Sequence, residues 1–310
     1  MISGIKIYSM DRYIEKFIME NTEHITHFNS FYGKCFNDPR PTRKKHERME
    51  DFRNRVNKEY TFNKGNFILI RDLKYNRSRF RCVFKVFYCQ KHFRYQFGYL
   101  SWRNHDPEKD RYLISLEISN HLFYQDDFNI ASVRLELVQS LSLVHHNYER
   151  IDICLDTNYN VIRMFNRMYS NSRKYYFKSF GSTDKMVHDY GNRKREVRTG
   201  RGHKFDSPTY RESFKFYNKT LEISNKSRKL YILDYLEKEG IDISSPVFRI
   251  EISLSSLSFK KRDFINIDDT NFTDNLVLKR ILNEYIRLCL DFRFKNNQKN
   301  VTRYKKVRLV

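Results

Sequence analysis

The sequence predicts an α+β protein whose core is an antiparallel β-sheet flanked by helices. Three observations carry this. Residues 67–70, 80–88, 93–100 and 112–118 form short runs rich in aromatic and β-branched residues, separated by Asn, Asp, His and Pro. Within one run, Cys82, Phe84, Val86 and Tyr88 alternate with Arg81, Val83, Lys85 and Phe87, so one face is apolar and the other mixed. Two later stretches carry apolar residues at helical spacing: Val133, Leu137, Val138, Leu141 and Val144 in residues 130–146, and Leu278, Ile281, Leu282, Tyr285, Leu288 and Cys289 in residues 274–290.

Taken in order, residues 1–8 read as a strand and 11–23 as a helix. A basic segment over 40–58 follows. Its Arg43, Lys44, Lys45, Arg48, Arg53, Arg55 and Lys58 recur at spacings compatible with a helix, lying along a polyanion or simply solvated. After the adjacent hairpins of 67–121 and the helix of 130–146 comes a strand at 150–156. His145 and His146 stand at the expected helix end. Residues 160–169 read as a helix and 174–180 as a strand. Residues 186–204 read as a polar loop; its Gly200 and Gly202 let the backbone approach a phosphate closely. The strand from Ser213 leads into a helix over 227–239, ended by Gly240. A strand around Glu251, the helix of 274–290 and a basic tail complete the chain. The organisation predicted is a basic strand/helix segment at 1–60, a main domain at 61–295 and a basic C-terminal tail at 296–310.

Length and composition bound the function. The 310 residues are enough for a sizeable core, and 40% apolar residues with 26 Phe and 22 Tyr argue against wholesale disorder. No run of 18 apolar residues exists, and the N-terminus lacks the pattern of a secretion signal. The five scattered cysteines form no Cys-x-x-Cys pair, which argues against a zinc module and for a reducing compartment. No phosphate-cradling Gly-Lys loop and no Gly-x-Ser-x-Gly elbow occurs.

Fifty-nine basic residues against 37 acidic give a net charge of +22, which calls for a polyanionic partner. Nucleic acid is the default, and no basic amphipathic helix points to a membrane. Arg193, Lys194, Arg195, Arg198, Arg201 and Lys204 crowd the 186–204 loop just ahead of the Ser213 strand. That placement suits a clamp on DNA, with an unspecialised surface loop as the alternative.

The chemistry is concentrated in three strand-like stretches. In Ser213-Phe-Lys-Phe-Tyr-Asn-Lys-Thr-Leu-Glu222, alternation puts Phe214 and Phe216 on one face and Lys215, Tyr217 and Lys219 on the other. In residues 150–156, Ile151, Ile153 and Leu155 pack together, leaving Asp152, Cys154 and Asp156 opposite. In residues 248–254, Arg249 and Glu251 oppose Phe248, Ile250, Ile252 and Leu254. Two aspartates on one strand face repel unless a cation sits near them. A hard divalent ion, Mg²⁺ or Mn²⁺, satisfies that need, and so does simple pairing with Lys or Arg. Lysines beside Tyr217 favour its phenolate and neutralise a phosphate, so attack by the phenol on phosphorus is a chemistry this pattern allows.

The order of these segments resembles that of the filamentous-phage gene II protein family and the related initiators of small rolling-circle plasmids. The carrying residues are Arg150-Ile151-Asp152, then Tyr217-Asn218-Lys219-Thr220-Leu221-Glu222, then Arg249-Ile250-Glu251-Ile252, with Leu116-Glu117-Ile118-Ser119-Asn120-His121 upstream. The likeness spans roughly residues 65–295; residues 1–60 match nothing in it. It implies a nicking and joining endonuclease in rolling-circle replication. Tyr217 is then the nucleophile that keeps the 5′-phosphate, and Lys219 assists at the phosphate. Asp152 and Glu251 are the first choices as ligands of Mg²⁺ or Mn²⁺, with Asp156 and Glu222 second. It further implies origin DNA, single-stranded or cruciform, as partner, with a host helicase and polymerase, in the cytoplasm of a bacterial host. The rival readings are a basic DNA-binding protein without chemistry, such as a repressor or packaging factor, and a hydrolytic metal nuclease that does not use Tyr217.

Overall fold

A computed structural model describes residues 5–20, 26–37, 42–72, 82–106, 111–178, 196–201, 212–261, 265, 267–289, 291–295 and 305–307. In chain order the elements begin with β1 (Ile7–Glu20), α1 (Thr26–Asn37), α2 (Met49–Glu59), β2 (Thr61–Lys64), β3 (Phe67–Arg71), β4 (Cys82–Gln90), β5 (Phe93–Asp106) and β6 (Arg111–Ile118). A 3₁₀ turn (Asn120–Tyr124) leads to α3 (Ile130–Ser140), β7 (Val144–Thr157), α4 (Val161–Ser170), β8 (Tyr175–Lys178), β9 (Glu196–Arg201) and β10 (Glu212–Asn218). The chain closes with α5 (Lys219–Glu222), a π turn (Ile223–Ser227), α6 (Tyr231–Lys238), β11 (Phe248–Ser255), α7 (Ser256–Lys261), α8 (Asn275–Cys289), β12 (Asp291–Phe294) and β13 (Lys305–Lys306). The fold is α+β, with antiparallel sheets flanked by helices, as the sequence predicts.

The chain divides into two compact units. One comprises residues 12–122 and 127–149; the other comprises 1–11, 123–126 and 150–310.

In the first of these, the strands run β2-β3-β4-β5-β6-β1, each antiparallel to its neighbour. Residues 11–20 are strand, not the helix expected. Tyr13, Glu15, Phe17 and Met19 are buried while Ile14, Lys16 and Ile18 are half-buried, a period of two. The charge of Glu15 hides that alternation in the bare sequence. The register between β4 and β5 shifts at Val86/Phe87. Just beyond, Gly98 sits so close to β6 that a Cβ there would lie 2.2 Å from the backbone oxygen of Glu117. Phe28, Phe31, Phe62, Phe84 and Trp102 interlock by ring contacts of 5.0–5.5 Å. The helix expected over 130–146 stops at Ser140. Asn129 caps its start by accepting from Ser132 N, and the chain turns at Ser142 (φ 49°) into β7. His145 and His146 therefore lie on a strand rather than at a helix end.

In the second unit the order is β7-β11-β10-β9, again antiparallel. The three chemistry-bearing stretches are thus neighbours. One row of apolar residues (Ile151, Ile153, Leu155, Ile250, Ile252, Phe214 and Phe216) is buried throughout. Phe165 of α4 packs on Phe216 at 5.0 Å and on Phe292 at 5.4 Å. Tyr124, Ile223, Ile232, Leu236, Ile241 and Val247 form a further apolar cluster. The helix expected from residue 227 starts later, at Tyr231, because the π turn and the left-handed Arg228 (φ 56°) interpose; Gly240 (φ 88°) ends it as expected. A small sheet of order β13-β12-β8 includes Lys305–Lys306, so part of the C-terminal tail is paired.

Candidate active site

The site residues are set out by strand register. Tyr217 pairs with Arg249 and Lys215 with Glu251 across β10 and β11. Glu251 in turn faces Cys154, Arg249 faces Asp156, and Ser253 faces Asp152 across β11 and β7. Residues directly opposite share a sheet face, so Lys215, Tyr217, Arg249, Glu251, Asp152, Cys154 and Asp156 lie on one side. That side is not a solvated polar face. Asp152, Cys154, Asp156, Arg249 and Glu251 are all buried; only Lys215 and Tyr217 are half-buried. Buried charges of this kind persist only when paired, and the pairing is extensive.

Tyr217 Oη donates to Glu251 Oε2 at 2.8 Å, and Lys215 Nζ lies 2.6 Å from Glu251 Oε1. The Tyr217 ring has Lys215 Nζ at 5.4 Å and Lys219 Nζ at 5.7 Å from its centroid. Burial pushes the Glu251 carboxyl above its usual range. The Lys215 charge opposes this, while Asp152 adds to it. Burial also holds the Tyr217 phenol well above its ordinary value, and the neighbouring Glu251 carboxylate adds to that effect. The two lysines expected to favour phenolate are outweighed, so the resting group is a phenol hydrogen-bonded to a carboxylate that takes up protons readily.

Asn218 closes β10 by capping α5, its Oδ1 accepting from Leu221 N at 2.9 Å. This turn buries Lys219, whose Nζ pairs with Glu222 Oε2 at 2.8 Å.

A second network lies beside the first. Arg249 Nε and Nη2 donate to Asp156 at 2.7 and 2.6 Å, Nη1 donates to Asp11 at 2.6 Å, and Nη2 reaches Tyr124 Oη at 3.2 Å. Burial opposes the Asp11 charge. Even so, Arg249, Lys219, Lys229 and the Tyr124 hydroxyl hold its carboxyl well below the usual range. Asp11 and Tyr124 escape the sequence reading because the strand containing Asp11 reads as a helix. The one available signal is Arg249 itself, a lone cation at a strand position expected to face acids.

Asp152 is gripped by Arg150, whose Nε and Nη2 donate to its two oxygens at 2.8 Å each. The four carboxylates considered as metal ligands are thus each matched to a base: Asp152 to Arg150, Asp156 to Arg249, Glu222 to Lys219 and Glu251 to Lys215. Among the described residues, no three His, Cys, Asp or Glu side chains gather as a metal-ion cluster. As arranged, these residues do not fit a divalent ion, because each carboxylate is already engaged by a cationic side chain.

Of the basic residues expected to clamp DNA, Lys215 belongs to the site. Arg193, Lys194, Arg195 and Lys204 lie outside the described residues. Arg198 and Arg201 fall in β9, which overturns the loop expected over that span. In register they stand opposite Lys215 and Glu212 of β10.

No family model and no curated protein matches the chain. A solved structure described as a rolling circle replication initiator protein from Geobacillus stearothermophilus is similar in outline, with 14% sequence identity and a TM-score of 0.45 over 98% of this chain and 93% of that one. At that level the likeness is one of general shape, and neither chemistry nor partner follows from it.

Proposed function

We propose that the protein is a replication initiation endonuclease that nicks and rejoins origin DNA through Tyr217 during rolling-circle replication. The observation that carries this reading is the Tyr217–Glu251 hydrogen bond, a nucleophile and a base in direct contact, at a half-buried position flanked by lysines. A phenol with a high pKa needs a base, and a buried carboxylate with a raised pKa is suited to act as one. In the nicking step the Tyr217 proton passes to Glu251. Oη bonds to phosphorus, the phosphorus–O3′ bond breaks, and the 3′-oxygen leaves with a proton from water. Lys215 stands beside the reacting groups and offsets phosphate charge. Attack by a freed 3′-hydroxyl on the phosphotyrosine reverses the step and rejoins the strand. The geometry supports Lys219 as a positioning group for the Tyr217 ring. It supports Asp156 as a structural anchor for Arg249.

The net charge of +22 supports a nucleic-acid partner. Contact with roughly six phosphates would give log K against log salt a slope of about −5. Origin DNA, a host helicase, a host polymerase and the cytoplasm of a bacterial host belong to this reading. No helix among the described residues is long and apolar enough to cross a membrane.

A second reading, a DNA-binding protein without chemistry, is favoured by the pairing of every nominated carboxylate with a base. Incubation with single-stranded origin oligonucleotides separates the two. The first reading expects a covalent protein–DNA adduct on denaturing gels, lost in Tyr217→Phe. An adduct that survives this substitution removes Tyr217 as the nucleophile. Cutting without any adduct, unchanged in Tyr217→Phe and abolished by chelation, would favour a hydrolytic metal nuclease.

A further inference from the structure

The β4–β5 hairpin ends in Gln90-Lys91-His92-Phe93-Arg94-Tyr95, three basic residues and no acid within six. Gln90 pairs with Phe93, so Lys91 and His92 form a two-residue turn, with Lys91 in the left-handed region (φ 51°). Phe93 at this tip is 67% exposed, well beyond most large apolar side chains of the chain. It is not a loose ring. Phe93 lies 6.2 Å from Tyr95, Tyr95 lies 5.2 Å from Phe128, and Phe128 lies 6.3 Å from buried Phe97. A ladder of rings thus runs from the core to the tip and ends on an open aromatic face. Behind it, the Arg94 guanidinium is held 3.9 Å from the centre of the Phe87 ring. The β2–β3 turn lies at the same end of the sheet, because Asn66 O accepts from Cys89 N at 2.8 Å, and it brings exposed Lys64.

An exposed, anchored aromatic with Lys91 and His92 in the adjoining turn and Arg94 next to it in the chain has the chemistry of a base-stacking platform with phosphate contacts on its flanks. We propose that this hairpin tip binds single-stranded DNA. Phe93 stacks on a base and extends the ladder by one rung, while Lys91 and Arg94 contact the adjoining phosphates. This rests on the DNA reading above and assigns it a binding surface carried by a different strand pair from Tyr217. An anionic membrane would meet the same side chains differently, with the ring in lipid and no preference for a strand of nucleotides.

Fluorescence anisotropy with a labelled oligothymidylate of about 20 nucleotides tests the proposal, at a length that spans several stacking sites. Phe93→Ala should weaken binding roughly tenfold, and Phe93→Trp should restore it. The double change Lys91→Ala, Arg94→Ala should flatten the salt dependence by about 1.4, or about 0.7 per lost phosphate contact. Equal affinity of Phe93→Ala and wild type overturns the inference, as does binding of phosphatidylserine vesicles with the same dependence on Phe93. If the wild type forms no adduct yet its DNA affinity still depends on Phe93, the hairpin proposal stands and the catalytic reading falls.

Discussion

Two buried glutamates use the same kinds of neighbour to opposite ends. Glu15 accepts from Tyr13 Oη at 2.5 Å and from Arg134 Nε at 2.6 Å, with Arg134 Nη2 at its second oxygen and His145 Nδ1 at 2.5 Å. Glu251 has Tyr217 and Lys215. Burial acts to raise both carboxyls. At Glu15 it is outweighed by the hydrogen bonds of His145, Arg134 and Tyr13, and the group is held below its usual range. At Glu251 it prevails. The tyrosines differ in access rather than direction. Both are pushed well above their ordinary value, by burial first and the adjacent carboxylate second, but Tyr13 is fully buried and Tyr217 half-buried. A carboxylate held by several hydrogen bonds suits a structural anion; one with a raised pKa, shared between a lysine and a half-buried phenol, suits the proton-accepting role proposed above.

That contrast can be broken at several points. Tyr217→Phe should remove adduct formation entirely, whereas Tyr13→Phe should leave it intact. Glu251→Gln should slow adduct formation by about 10² to 10⁴-fold, the usual contribution of a general base, in single-turnover assays. A rate within a factor of two of wild type would remove Glu251 from that role. Stability should respond the other way round. Glu15→Gln leaves Arg134 buried beside a neutral amide and should cost about 3–5 kcal/mol in urea unfolding. Glu251→Gln keeps an acceptor for Tyr217 and leaves only the half-buried Lys215 without its carboxylate, so it should cost less than Glu15→Gln.

The smallest and sharpest difference is in pH. The folded pKa of Glu15 is below its reference of 4.5, so its stabilisation is present above that value and is lost as pH falls through the folded value. The folded pKa of Glu251 is above 4.5, so its contribution is present below 4.5 and is lost as pH rises through the raised value. Glu251 must be ionised to accept the Tyr217 proton. The nicking rate should therefore climb over the same rise in pH, and Glu251→Gln should flatten the profile. A wild-type profile that stays flat as pH rises above 4.5 would contradict the assignment.

Much of the architecture is legible in the sequence, since alternation and helical stripes record which side of an element is buried. The hairpins of residues 67–118 follow from alternation, and the helix of α8 from its stripe. The failures share a cause. Residues 11–20 carry Tyr13, Ile14, Phe17 and Ile18, which suit a helix as well as a strand. Only the burial of Glu15 against Arg134 and His145, residues far along the chain, decides for the strand. The helical stripe runs on to Val144 and so takes in His145 and His146, whereas the turn at Ser142 ends the helix before them. The proximity of Tyr217, Glu251 and Asp152 is suggested by three alternating strands in sequence order. Their individual partners are not.

By itself the sequence determined the α+β composition, the basic surplus and the set of chemically able side chains, because these depend on residue type and local periodicity. Only the tertiary structure decided which carboxylate is held by several donors and which is shared between one lysine and a phenol. That depends on cross-strand register and on burial, and a shift of one residue in register would exchange every partner.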